Sequence, residues 1–410
     1  MSKTILKHSN QKIQTMRKTI TFSVLMLLAA MSVLSCSDDD DNNQTSEKTK
    51  VTKIADYLYE YTADGYSPEA PSELLSDDGS IPVFGCSSVR NGNFYGRNFD
   101  FNINEICEFV VRTKASASRK HASIGVANPG FLTTTNDMVQ AGLSDEELNF
   151  IPWMTMDGIN DAGLVCNLNV VNAADIKDFP HTHTCEGAPK INVMNIVRAL
   201  LDNCGSVEEA KAFIGNHDII PMPSTWDGHL MMADPHSTVV VEFTGEKGSE
   251  VKYTETNIMT NFYNYQFARD GVFPPHVCGM ERYQILKDNY ATGNSMEGMW
   301  NLLKKVRYTQ TYEEATEPFW CSEYYNTSTI PTFDEHPMAY WTKEKILSEV
   351  YPQEEVAAYR EYAKTGRYSL DDELWFTTHN ATYDIANKSL WVTIREKYEK
   401  RYEFKLLLQH

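Results

Sequence analysis

The sequence predicts an α+β fold, and three observations carry that expectation. Short β-branched and aromatic runs closed by turn residues recur from Cys86 onward. Stretches of helical spacing are grouped between them instead of following every strand. No repeat of about twenty to fifty residues is visible, which disfavours solenoids and propellers. At 410 residues the chain can bury a core without disulfide support.

Residues 1–35 read as a signal peptide. Arg17 and Lys18 precede Ile20 to Leu34, an apolar run of h-region length and too short for a full span, and Met16 is a second candidate start. Val33-Leu34-Ser35-Cys36 resembles a lipobox, which implies a diacylated Cys36 as new amino terminus; ordinary signal cleavage nearby is the alternative. Residues 36–50 form an acidic, polar tether, with Ser37 to Asp41 resembling a surface-export signal of Gram-negative lipoproteins. The protein is thus expected to be exported and lipid-anchored to a bacterial outer membrane, periplasmic or surface-exposed, and to meet the membrane through that lipid.

Residues 51–85 lie between tether and catalytic body. Val51, Ile54, Ala55, Leu58 and Tyr59 have helical spacing, so a helix is expected over 51–61, stopped by Gly65 and Pro68. Asn91-Gly92 signals a hairpin with a type I′ turn. Phe109 to Thr113 and Leu164 to Val171 read as buried strands, and His229 to Ala233 with Thr238 to Phe243 as a hairpin through Asp234-Pro235. Ala381 to Ile385 and Leu390 to Ile394 pair around Asn387. Val193 to Leu201 is an amphipathic helix ended by Gly205, Ser206 to Glu209 has capping-box form, and Asn294 to Val306 and Gln353 to Ala363 are further helices.

The formal charge is −19, from 56 acidic against 37 basic residues, with no Lys/Arg cluster in the body. That leaves no footprint for phosphate backbones and disfavours nucleic acid as a partner class. Of eight cysteines, Cys107, Cys166, Cys185, Cys204, Cys278 and Cys321 show no CxxC or zinc-ribbon spacing, so few bridges are expected. His181, His183 and Cys185 alternate along one strand face without a fourth ligand nearby, a poor metal site.

Chemistry concentrates between Gly85 and Asp100. The hairpin would bring Cys86 close to Arg97 and Asp100: a thiol, a cation and a carboxylate. A free thiol near pKa ~8.5 is favoured as thiolate by a guanidinium. If Cys86 begins the mature chain, its α-amine, pKa about 7.7 to 8, can take the thiol proton. A core cysteine beside a surface Arg and Asp is the plain alternative.

Cys86-Ser87-Ser88-Val89 followed by Tyr95-Gly96-Arg97-Asn98-Phe99-Asp100 resembles the amino-terminal signature of the choloylglycine hydrolase and penicillin V acylase family, N-terminal-nucleophile (Ntn) hydrolases of linear amides. The resemblance implies a four-layer αββα sandwich over 86–410, Cys86 as nucleophile, and Arg97 and Asp100 as site residues. Asp157-Gly158-Ile159-Asn160-Asp161-Ala162-Gly163-Leu164 resembles the family's Asp-Gly-Met-Asn-Glu-x-Gly-Leu, and the following strand carries Asn169, with Asn167 as runner-up, in the place of a site asparagine; an Asn merely ending a strand is the alternative. Ile258-Met259-Thr260-Asn261 resembles the segment whose asparagine completes the oxyanion hole, although Phe262 stands where the family often has proline. Arg282-Tyr283 resembles its Arg-Tyr or Arg-Phe step, with Arg282 either at the site or paired on the surface with Glu281 or Asp288. Trp153, Phe262, Tyr263, Trp320, Tyr324 and Tyr325 would line an acyl pocket or belong to the core.

The chain departs from the simplest family pattern in placing about fifty residues between Cys36 and Cys86. That resembles the acyltransferase-like and ceramidase-like branches, in which a pro-segment is removed by self-cleavage, and makes Gly85-Cys86 the expected processing site. The resemblance implies an amidase acting on a small-molecule N-acyl amide, such as a conjugated bile salt or penicillin V, without metal or organic cofactor. An acyltransferase, or a non-catalytic surface-binding lipoprotein with an unreactive internal Cys86, are the alternatives. Neither the preferred acyl group nor the oligomeric state, monomer or homo-oligomer, is written in the sequence.

Overall fold

Where a helix was expected over 51–61, the chain forms a β-hairpin instead: β1 (Val51–Ala55) and β2 (Leu58–Thr62) pair antiparallel around a turn in which Tyr57 takes φ 64°. The apolar spacing is compatible with a helix, but the segment is rich in Val, Thr, Ile and Tyr, which suit a pleated surface. A tertiary partner then decides the matter, because β2 pairs in parallel with β5 (Glu108–Thr113). The computed structural model describes residues 51–63, 65–69, 86–101, 107–129, 136–172, 187–220, 226–244, 250–271, 279–307, 376–395 and 397–406. The expected signal peptide and tether with Cys36, Gly85, residues 181–185, the helix expected at 353–363, and Trp320, Tyr324 and Tyr325 lie outside the described residues.

β3 (Cys86–Asn91) and β4 (Phe94–Phe101) make the expected hairpin with a different turn. Asn91 pairs opposite Phe94, so Gly92 and Asn93 are the central residues, and of the two only Gly92 has positive φ, 60°. That is the II′ pattern, which needs glycine at the first central position alone. Strands β6 (Ser123–Ala127), β7 (Thr155–Asn160), β8 (Val165–Asn172), β11 (Trp226–Ala233), β12 (Thr238–Thr244) and β13 (Glu250–Glu255) complete a nine-stranded sheet in the order β1-β2-β5-β6-β7-β8-β11-β12-β13. β14 (Ile258–Met259), β15 (Phe376–Asp384), β16 (Ser389–Ile394) and β17 (Tyr402–Lys405) join the first hairpin in a six-stranded sheet, β14-β3-β4-β15-β16-β17. The short β9 (Lys190–Asn192) and β10 (Asp218–Ile220) pair in parallel.

Seven helices accompany the sheets among the described residues: α1 (Asn136–Ala141), α2 (Asp145–Phe150), α3 (Ile196–Asn203), α4 (Val207–Gly215), α5 (Asn264–Asp270), α6 (Met280–Asp288) and α7 (Met296–Lys305). The expected helix from Val193 begins as a 3-10 turn, Val193–Asn195, before α3. Ser206 caps α4 by accepting the Glu209 N–H, while Glu209 reaches back to the Gly205 N–H. Two glycines of the sequence motifs set helix-to-strand distance. A Cβ at Gly96 would lie 2.7 Å from Leu303 Cδ1 of α7, and one at Gly158 2.6 Å from Leu201 Cδ1 of α3.

Among the described residues three large apolar clusters position the site, beside a small one of Val171 and Tyr263. One draws Tyr95, Tyr383 and Val392 from the six-stranded sheet together with Val110, Val126, Val165 and Met231 from the nine-stranded one. A second joins the other face of the nine-stranded sheet, through Cys166, Leu168 and Val170, to α3 and α4. The third packs Val89 against Leu286, Met299 and Leu303 of α6 and α7. Cys86, Cys107, Cys166 and Cys204 are buried thiols. No helix among the described residues is long and apolar enough to cross a membrane.

Candidate active site

Strand alternation decides which side chains converge. Ser88 sits opposite Arg97 and Cys86 opposite Phe99, so Cys86 and Arg97 share one face at the far end of the β3–β4 hairpin, while Asp100 closes the same end from the other face; all three are buried. Arg97 Nη2 lies 3.9 Å from Cys86 Sγ and donates to the Leu168 carbonyl at 2.8 Å, while its guanidinium stacks 4.4 Å from the Phe99 ring centre. The chain brings in the remaining groups from β14 and α6. Asn261 Oδ1 accepts the Cys86 N–H at 3.0 Å and Arg282 Nη2 at 2.7 Å, and Arg282 Nη1 donates to the Cys86 carbonyl at 2.6 Å. Asp100 accepts from Thr377 Oγ1 at 2.6 Å and lies 3.4 Å from Arg282 Nη1.

Four of the other five predicted residues, Arg97, Asp100, Asn261 and Arg282, therefore meet around Cys86. Asn169 stands one link further out: its Oδ1 accepts from Ser88 Oγ at 3.3 Å and from Asn167 Nδ2 at 2.7 Å, and its Nδ2 donates to the Thr260 carbonyl at 3.4 Å. Asn261 Nδ2, the expected oxyanion donor, is engaged by the Val170 carbonyl, to which it donates at 2.7 Å. Arg282 is buried, with none of the exposure that pairing on the surface would give it. Trp153, Phe262 and Tyr263 are buried side chains of the core.

The thiol departs from expectation. Burial pushes Cys86 up to about 11, against the pull of Arg97 and Arg282. At that value only about one part in ten thousand is thiolate at neutral pH. Arg97 alone does not make a resting thiolate in the uncut chain, and any nucleophilic chemistry needs a base beside the sulfur.

Sequence reading missed the groups behind Arg97. Asp157, the first residue of the Asp-Gly-Ile-Asn motif, accepts Arg97 Nη1 at 2.7 Å, His379 Nε2 at 2.8 Å and the Tyr383 hydroxyl. His379 Nδ1 lies 3.2 Å from Glu108 Oε2. Burial would raise the Asp157 carboxyl, but His379, Arg97 and Tyr383 outweigh it and hold it below the usual carboxylate range. Burial would lower His379, yet Glu108 and Asp157 leave it above the ordinary imidazole value. The motif itself was the available signal for Asp157: Asn160 Oδ1 accepts the Gly163 and Leu164 N–H groups and Gly163 takes φ 100°, so the turn accounts for those residues and leaves the aspartate to be explained by partners elsewhere. For His379 and Glu108 no local pattern existed. Among the described residues no group of His, Cys, Asp and Glu could hold a metal ion.

The family profile described as acyl-coenzyme A:6-aminopenicillanic acid acyl-transferase matches residues 89–325, more than half of the 410. The chain belongs to that acyl-transferase family. It is thereby placed among enzymes of the Ntn-hydrolase superfamily, in agreement with the resemblance read from its motifs. The acyl-transferase match takes in Arg97, Asp100, Asn169, Asn261 and Arg282, starts three residues after Cys86 and ends before His379. Solved structures similar to the chain include two mutants of the conjugated bile acid hydrolase from Clostridium perfringens, at 15% and 14% identity. They have TM-scores of 0.40 and 0.39, and the matches cover 79% and 78% of this chain and 92% of each of those. Penicillin V acylase from Agrobacterium tumefaciens is similar at 14% identity and TM-score 0.36, over 78% of this chain and 86% of that one. No curated protein matches the chain.

Proposed function

We propose that this acyl-transferase family member is a cysteine Ntn-amidohydrolase, exported and lipid-anchored, that cleaves the linear amide of an N-acyl substrate with Cys86 as nucleophile. The observation that supports it most is the pairing at Cys86: its sulfur faces Arg97, while its nitrogen is held by Asn261 beside Arg282. Once cleavage at Gly85-Cys86 frees that nitrogen, it is the base the buried thiol otherwise lacks. The α-amine takes the thiol proton, sulfur attacks the amide carbon, and the tetrahedral oxyanion collapses with loss of the amine, which leaves with the proton of the α-ammonium. Water then hydrolyses the thioester, releasing the carboxylic acid and restoring the thiol. Apolar contact between the two sheets, with helices packed against an outer face of each, supports an αββα layering. The family name favours a second reading, in which an amine replaces water as acyl acceptor.

The test is a substrate panel of taurine and glycine conjugates of bile acids, penicillin V and long-chain acyl amides, run on wild type and Cys86→Ala with and without added amine acceptor. Intact mass and amino-terminal sequencing accompany it. Wild type should begin at Cys86 and release free acid, and Cys86→Ala should do neither. An active wild type still joined across Gly85-Cys86 would end the amine-as-base mechanism, and new amides formed in the presence of acceptor would select acyl transfer.

A further inference from the structure

Glu108, Asp157, Arg97 and His379 are all at most 1% exposed, and they form one unbroken chain of contacts ending 3.9 Å from Cys86 Sγ. Two carboxylates face two cations, so the formal charge of the group cancels. A buried ionic group of this kind is weak evidence for stability, since well-packed apolar side chains often serve a core as well or better. Its placement points to the site instead.

The backbone is shaped to deliver it. In the β15–β4 ladder Thr377 pairs with Asp100 and His379 with Phe99, leaving Thr378 as an extra, unpaired residue. A bulge of this kind re-aims the side chains around it. Thr377 Oγ1 thereby reaches Asp100 while the His379 ring, stacked at 5.2 Å on Phe99, reaches Asp157 and Glu108. Nε2 is hydrogen-bonded to Asp157 and Nδ1 lies within ion-pair distance of Glu108, a setting between two carboxylates that favours the doubly protonated imidazolium. Arg97 Nη1 and His379 Nε2 stand 3.1 Å apart because both donate to the same Asp157 oxygen. Tyr383 and Tyr95 also face the group, Tyr383 through Asp157 and Tyr95 through Asn167.

We propose that His379 is a positioning residue for the Cys86–Arg97 pair: it shares Asp157 with Arg97 and balances Glu108, so that the Arg97 charge remains available to the sulfur. This deepens the reading of Cys86 as nucleophile and rests on it. Without the imidazolium the group carries one net negative charge next to the thiol. Asp157 is then answered by Arg97 alone, and the thiolate is disfavoured.

The experiment measures iodoacetamide alkylation of Cys86 against pH, by peptide mapping, in processed wild type, His379→Gln and the charge-balanced Glu108→Gln/His379→Gln. Buried Cys166 serves in each as the internal sign of unfolding, and kcat and KM are measured on the same preparations. His379→Gln should slow Cys86 alkylation at neutral pH about tenfold, the equivalent of one unit in the thiol titration, and lower kcat similarly with KM within about twofold. The double variant should recover most of the rate. An unchanged single variant, or a double variant as slow as the single, overturns the proposal. If the single variant exposes Cys166, the double variant decides alone, and its failure to fold or to label Cys86 at near wild-type rate counts against it. Turnover absent on every amide, with the alkylation pattern as expected, strikes the amidase reading and leaves the positioning role standing. A wild-type Cys86 inert at every pH overturns both.

Discussion

The side-chain oxygen of Asn261 accepts the backbone N–H of Cys86 at 3.0 Å. The atom proposed to become the catalytic amine is thus already oriented in the uncut chain, and Arg282 secures the same oxygen from the other side. Asn261→Leu should leave that nitrogen unheld and cut kcat about 100-fold, the scale of a lost site hydrogen bond. Asn261→Asp keeps the acceptor and should lose far less. Steady-state kinetics on the two variants separates them, and equal losses would assign Asn261 to its Val170 contact instead.

Arg97 uses its planar fork on Cys86, Leu168 and Asp157 at once. A lysine ammonium cannot reproduce that geometry. Arg97→Lys should reduce kcat/KM by about 100-fold or more, and Asp100→Asn, which keeps the shape and removes the charge beside Arg282, should also lose most turnover. Near-normal kinetics in both variants would remove these two residues from the site.

Stability should fall on both sides of neutrality. Asp157 is held below its ordinary range, so its contribution is present above that range and disappears as pH drops through the folded value. His379 is held above its ordinary value, so its contribution is complete below that value and disappears as pH rises through the folded one. Thermal melting against pH checks both limbs. Asp157→Asn, which leaves His379 and Arg97 facing a neutral amide, should cost about 3–5 kcal/mol near neutrality and flatten the acid limb.

Cys36→Ala should move the protein from the membrane fraction to the soluble one without loss of turnover. Wild type should remain membrane-bound even after cleavage, because residues 51–69 are built into the body. Tyr66 is buried, its hydroxyl donates to Asp202 at 2.5 Å, and its ring lies against Arg119 and Trp153. Tyr66→Ala removes an aromatic anchor worth about 3–5 kcal/mol and should shed the amino-terminal fragment on size exclusion. Equal partition of Cys36→Ala and wild type between fractions would count against the lipid.

Residues close in sequence disclosed their structure best. The hairpin of Cys86 and Arg97, the Ser206 cap and the strands around Asp234 and Asn387 follow from local chemistry, and the ordered motifs led to Asn261 and Arg282. Val51 to Tyr61 misled because its apolar spacing is ambiguous and only the edge of β5, about fifty residues away, resolves it. His379 was invisible for a related reason. Its partner Asp157 lies 222 positions earlier, and an isolated Thr-Thr-His-Asn run carries no sign of the bulge that aims it. The pull of Arg97 on the Cys86 thiol was readable from sequence, whereas the desolvation that outweighs it was not.

The parallel pairing of Leu58–Thr62 with Glu108–Arg112 has a kinetic meaning once Gly85-Cys86 is cut. The nicked protein becomes two polypeptides sharing one sheet, and the loop closure that first joined them is no longer intramolecular. Native structure survives because β1 and β2 are already in place, but after denaturation and dilution the pieces must find each other by second-order encounter. If the proposed cut is made, the uncut chain should refold on its own and the cut one should not, so the cut protein would persist by slow unfolding rather than by ready renaturation.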